Sequence, residues 1–117
     1  MILVDTCVWI DHFRSVKKRL SEALAEGLVL AHPFVIEEIA CGSLSRRDEV
    51  LALLQSLQMA PMVKHQEVID FIDRHRLFGS GLGSVDVHLL ASAKLADAKV
   101  WTTDRQLMVA ARRLELA

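Results

Sequence analysis

The sequence predicts an α/β fold built around a short, mainly parallel sheet. Two observations carry that prediction. Short apolar runs, "MILV" (1–4), "LVLA" (28–31) and "KVWTT" (99–103), have the length and composition of buried strands. Stretches with apolar residues at helical spacing lie between them, and such alternation is the pattern of parallel sheets joined by crossover helices. At 117 residues the chain is expected to be a single domain, residues 1–117. Its hydrophobic fraction of 52% is ample for a packed core and excludes disorder as the ground state.

The elements follow in order. "MILV" ends in a polar turn at Asp5, and Asp5 can cap a helix over "TCVWIDHF". A helix is expected from about Ser15 over "SVKKRLSEALAEG", with Val16, Leu20, Ala23 and Leu24 near one face and Gly27 as its stop. After the strand "LVLA", Pro33 suits the first turn of a helix through "FVIEEIACG", ended by Gly42. Two more helices are expected over "RRDEVLALLQSL" and "QEVIDFIDRHRLF". The loop "GSGLG" precedes "SVDVHLLASAKLADA", where Ser84 is a good N-cap. "KVWTT" then reads as a strand with Trp101 in the core, "DRQLMVAARR" as a short helix and "LELA" as a terminal strand.

Composition narrows the function classes. No apolar run approaches the ~18 residues of a membrane span, and no signal-peptide pattern opens the chain, so a cytoplasmic location is expected. Cys7 and Cys41 form no disulfide framework and no CxxC pair, which leaves zinc a poor fit and Cys7 as a packing residue. The formal net charge of −1 argues against a globally basic nucleic-acid binder. With four of the fifteen acids committed to one site, however, the fourteen Lys and Arg outnumber the remaining acids.

The placement of the acids is informative. Ligands of open parallel sheets bind outside the carboxyl ends of the strands. Asp5 directly follows the first strand and Asp104 directly follows "KVWTT". Asp86 falls in the first turn of its helix, and Glu38 lies among Val35, Ile36, Ile39 and Ala40. Each has an ordinary explanation: Asp5 and Asp104 as N-caps, Asp86 as a favourable charge at a helix start, Glu38 as an ion-pair partner. If they converge, any pair at ~4 Å repels by about 4 kcal/mol at an effective dielectric near 20. Such a cluster takes up protons or cations, and carboxylate oxygens alone favour magnesium or manganese. The matching chemistry is metal-assisted phosphodiester hydrolysis, although spacing by itself does not establish it.

The motifs "LVDTCVWID", "EEIACG", "GSVDVHLLASAKL" and "VWTTDRQL" occur in this order across nearly the whole chain. In order, spacing and length the sequence resembles the PIN-domain nucleases, in particular the VapC-type toxins of toxin–antitoxin pairs. The resemblance implies a three-layer α/β/α fold and a Mg²⁺- or Mn²⁺-dependent endoribonuclease. It also implies a homodimer, a larger toxin–antitoxin assembly, and a cognate antitoxin protein that blocks the site. Asp5, Glu38, Asp86 and Asp104 take the places of the four acidic catalytic and metal-binding residues, with the frame "E-hydrophobic-x-x-G" selecting Glu38 over Glu37. Thr6 and Thr103 match hydroxyl residues that such sites place beside their carboxylates to orient ligands or water. Val87 departs from a common alanine, and His88 after it reads either as a proton-transfer or RNA-contacting group or, as expected here, a packing histidine.

Arg14, Lys17, Lys18 and Arg19 cluster near the Asp5 end, and Arg105 follows Asp104; these are the candidate RNA contacts, with Arg46, Arg47, Arg74 and Arg76 further afield. With few aromatics, stacking is expected to play a small part in recognition. Two other functions share these motifs. One is a catalytically inert PIN-like domain that binds RNA or protein. The other is a PIN-type nuclease of RNA processing or DNA repair without an antitoxin.

Overall fold

A computed structural model describes residues 1–117 throughout. The elements run β1 (Ile2–Val4), α1 (Thr6–Arg14), α2 (Lys18–Ala25), β2 (Val29–Ala31), α3 (Pro33–Ala40), α4 (Arg47–Ser56), β3 (Gln58–Met59), α5 (His65–His75), α6 (Ser84–Ala96), β4 (Lys99–Trp101) and α7 (Arg105–Arg113). All four strands are parallel, in the order β3-β2-β1-β4, and the seven helices flank the sheet as the α/β/α expectation requires. The chain moves from β1 outward through β2 to β3, then returns to place β4 on the other side of β1. That reversal makes the β1–β4 boundary the point where a parallel sheet opens a crevice at its carboxyl edge.

The core explains why short strands suffice. Leu3, Val4, Val29, Leu30 and Val100 are buried along the sheet, and Trp9, Leu20, Ile39, Leu54, Leu89, Leu90 and Leu107 close over it from the helices. These belong to one cluster of 27 buried residues, so the sheet is stabilised by helix packing more than by its few ladder bonds. His32 is fully buried within this frame. Its Nδ1 accepts the Phe34 N–H at 3.1 Å, which caps α3. The proton therefore sits on Nε2, which donates to the Ser92 hydroxyl on α6 at 3.1 Å. One imidazole thus ties α3 to α6.

Several local expectations are corrected. The second helix begins at Lys18, not Ser15: the Lys17 N–H donates to His12 Nδ1 at 3.1 Å and holds the turn after α1, leaving Val16 74% exposed outside the helix. Gly83, not Ser84, is the N-cap of α6, because the Asp86 carboxylate reaches back to the Gly83 N–H at 3.0 Å. Trp101 is only half-buried. "LELA" forms no strand; Leu116 docks beside β4 through one backbone bond, accepting from Val100 N–H at 2.6 Å. The short β3 had no apolar signature, since Gln58 and Met59 are both exposed and pair through backbone alone. In the "GSGLG" loop, Gly81 has φ +80°, and a Cβ there would lie 2.7 Å from the Gln106 side chain of α7.

Burial lowers the His32 pKa from 6.5 to about 4, with the nearby His88 adding to the effect. The unfolded chain therefore binds this proton more readily than the folded one. Stability is full above pH ~6.5 and falls as the pH drops toward 4, by on the order of 3 kcal/mol. Urea denaturation across this range should show that loss. His32→Asn, which keeps an N-cap acceptor but cannot titrate, should flatten the profile. A residual slope should remain, because His12, His75 and His88 are also lowered by burial.

Candidate active site

Asp5 anchors the carboxyl edge. It is 7% exposed, caps α1, and its backbone N–H donates to the Trp101 carbonyl at 2.9 Å, joining the ends of β1 and β4. Its Oδ1 accepts the Thr6 N–H at 2.7 Å, and its Oδ2 accepts the buried Thr102 hydroxyl at 2.7 Å and the Cys7 thiol at 3.4 Å. Thr102 also accepts the Asp104 N–H at 3.0 Å, so one hydroxyl links both strand-end acids. The sequence singled out Thr103, not Thr102, as a hydroxyl beside the carboxylates. Thr103 is exposed instead, and its hydroxyl meets Cys7 Sγ at 3.1 Å. The signal was present as strand alternation: Thr102 lies two residues after buried Val100 and shares its face.

The other three acids are each held by one oxygen. Glu38 Oε1 accepts the Thr6 hydroxyl at 3.0 Å, so Thr6 bonds to both Asp5 and Glu38. Asp104 caps α7 through Oδ1, which accepts the Leu107 N–H at 2.9 Å. Asp86 Oδ2 takes the Gly83 N–H. The second oxygens of Glu38, Asp86 and Asp104 make no hydrogen bond within the protein. None of the four acids forms an ion pair; the salt bridges present are Lys18–Glu22, Arg46–Glu49 and Arg47–Asp48. The Asp86 carboxyl is held above its usual pKa by burial first, with the negative charges of Asp5 and Asp104 adding to the rise and the Gly83 bond opposing it.

The arrangement fits a hard divalent cation in donor chemistry and in uncompensated charge. It does not present a finished cage. No three His, Cys, Asp or Glu side chains approach closely enough to hold an ion as they stand. Glu38 and Asp104 are exposed and can change rotamer, whereas Asp5 is fixed.

Of the five candidate RNA contacts, Lys17, Lys18 and Arg19 line one cleft with Thr103 at its rim. Arg14 does not line that cleft, and Arg105 borders a different one with Gln106 and Arg113. His88 packs edge-on against Phe34, with ring centroids 4.7 Å apart, and its buried Nδ1 has no partner. Cys7, expected to be packing alone, instead touches Asp5, Thr102 and Thr103. Nothing in the sequence marked it.

The PIN domain family model matches residues 2–113. The chain belongs to the PIN-domain family. Two relatives, both named Ribonuclease VapC32 and from the CDC 1551/Oshkosh and H37Rv strains of Mycobacterium tuberculosis, are 50% identical to it over 111 residues. Each match covers 94% of this chain and 90% of the relative. No solved structure matches. Within this PIN domain, no helix is long and apolar enough to cross a membrane.

Thr102→Val keeps the side-chain shape but strips Asp5 Oδ2 and the Asp104 N–H of a partner. It should cost on the order of 1–3 kcal/mol in urea denaturation. Thr103→Val should cost under about 0.5 kcal/mol. Equal costs would show that the two hydroxyls are not divided as described.

Proposed function

We propose that this PIN domain is an endoribonuclease and the toxin half of a toxin–antitoxin pair, and that Asp5, Glu38, Asp86 and Asp104 are its catalytic acids. The observation that carries the reading is that Asp5 and Asp104 follow adjacent strands and are linked through Thr102, Glu38 is linked to Asp5 through Thr6, Asp86 lies in the field of both aspartates, and none of the four has a Lys or Arg partner. A chain that wanted these acids only as caps would gain by pairing them. Leaving them uncompensated costs stability and makes sense when a cation completes the site. The 50% identity, over 94% of the chain, to proteins named as ribonucleases supports the same reading.

These four acids would hold one or two Mg²⁺ or Mn²⁺ ions. When bound, such ions make a water more acidic and offset charge on the oxygens of a phosphodiester undergoing displacement. The chain's own part is orientation. Thr6 N–H and the Thr102 hydroxyl fix Asp5 so that it cannot swing away. The Thr6 hydroxyl turns Glu38 toward the same edge, and the Gly83 N–H aims Asp86. In the reaction, water adds to phosphorus, the bond to the leaving ribose oxygen breaks, and that oxygen takes up a proton. A homodimer and a cognate antitoxin that covers this edge are part of the same proposal, as is action in the cytoplasm.

A second reading follows from the absence of a finished ligand cage: an inert PIN domain that binds RNA without cutting it. Cleavage decides between them. Asp5→Asn should retain the fold by circular dichroism and lower RNA cleavage at least about a hundredfold. EDTA should abolish cleavage and added Mg²⁺ or Mn²⁺ restore it. Full activity in the variant or in EDTA refutes the metal-dependent mechanism; no cleavage under any condition, with RNA binding intact, favours the inert domain. Expression of the chain alone should arrest growth, and co-expression of the antitoxin should relieve it.

A further inference from the structure

Beside the acids lies a cleft of about 410 Å³ lined by Val8, Asp11, Val16, Lys17, Lys18, Arg19, Trp101 and Thr103. Its chemistry is divided. One part is apolar: buried Val8, half-buried Trp101, and Val16, which is 74% exposed and packs into no core. The rim is cationic, with Lys17, Lys18 and Arg19 all exposed and none of them held in an ion pair except Lys18, which reaches Glu22 only at 4.0 Å. Thr103 connects the cleft to the acids, because its hydroxyl meets the same Cys7 sulfur that touches Asp5. A surface that served phosphate alone would need the cations without the apolar wall.

We propose that this cleft is a nucleotide subsite that seats one unpaired base of the RNA against Trp101 and Val16, with flanking phosphates on Lys17 and Lys18. It rests on the ribonuclease reading and names how that site selects its substrate. The Arg19 guanidinium lies over the Trp101 ring, 4.8 Å from the centroid. That exposed cation–π contact is worth about 0.5–1 kcal/mol. A base stacked on an aromatic side chain is worth about 1–3 kcal/mol. The base therefore displaces the guanidinium, which moves to a phosphate or stacks on the base itself. Asp11 supplies the acceptor on the wall. It favours bases with an exocyclic amino group on the pairing edge, namely adenine, guanine or cytosine, and disfavours uracil.

The chain's two tryptophans give a direct readout. Trp9 is fully buried and Trp101 is half-buried, so a base entering the cleft quenches Trp101 and leaves Trp9 unaffected. The probe is a short single-stranded RNA titrated into full-length Asp5→Asn protein, in which cleavage is suppressed. We expect saturable quenching. It should be lost in the additional variant Trp101→Leu, and half-saturation should move up about tenfold when Lys17 and Lys18 are both changed to Ala. Because Trp101 contributes to strand β4, thermal melts establish that Trp101→Leu is folded, and Val16→Ser gives an independent test on a residue outside every element. Asp11→Asn in the cleaving protein should narrow the difference in cleavage between oligomers carrying uracil and those carrying an amino base at one position. Cleavage with an unquenched Trp101 and a base preference unchanged in Val16→Ser and Asp11→Asn overturns the subsite and leaves the nuclease standing. Quenching without any cleavage by the wild-type chain supports the subsite and rejects the nuclease. Quenching by an antitoxin peptide but not by RNA also overturns the proposal.

Discussion

The rest of the site depends on a buried carboxylate held by hydrogen bonds and by no cation. Asp5 stands where β1 ends, and the Thr6 N–H, the Thr102 hydroxyl and the Cys7 thiol all donate to it. Bonds to a charged acceptor are about twice as strong as neutral ones, which is what permits the burial. The same contacts fix three pieces of backbone. Asp5 caps α1, its N–H bonds to the end of β4, and Thr102 receives the N–H of the residue that caps α7. The site and the fold therefore share their hydrogen bonds.

Charge is arranged in two separate zones. The acids lie at the carboxyl edge with no basic partner, and the Asp86 carboxyl is raised above its usual pKa by burial first, with the charges of Asp5 and Asp104 adding to it. Lys17, Lys18 and Arg19, at the start of α2, line the adjoining cleft without neutralising them. In a chain of net charge −1 this separation is not forced by composition. It costs folding stability through like-charge repulsion, and it leaves the acids free for a cation and the lysines free for phosphate. A polyanion lying across both zones meets each with the chemistry suited to it.

Much of the fold was legible. Three of the four strands and the helices of the later chain follow from apolar runs and breakers, because burial writes period two and period 3.6 directly into the sequence. Four acids in the family's order were legible as well, and the structure places Asp5 and Asp104 at the ends of adjacent strands. What failed has physical causes. β3 is held by backbone pairing, which leaves no side-chain pattern. Val16 is apolar but faces the cleft, so hydrophobicity pointed to a core that is not there. Gly83 replaced Ser84 as cap because the cap bond comes from the Asp86 side chain rather than from the cap residue.

The sequence by itself determined the family, three of the four strands and most of the helices, and it singled out the four acids as candidates, since each is recorded in local spacing or in motif order. Tertiary structure decided which hydroxyl serves Asp5, that Cys7 sits among the acids, and that Lys17, Lys18 and Arg19 share a cleft with Trp101 while Arg14 and Arg105 do not. Those outcomes turn on contacts between residues up to 97 positions apart. The chain records which side chains it has, but the parallel crossing that sets β4 beside β1 decides which of them meet.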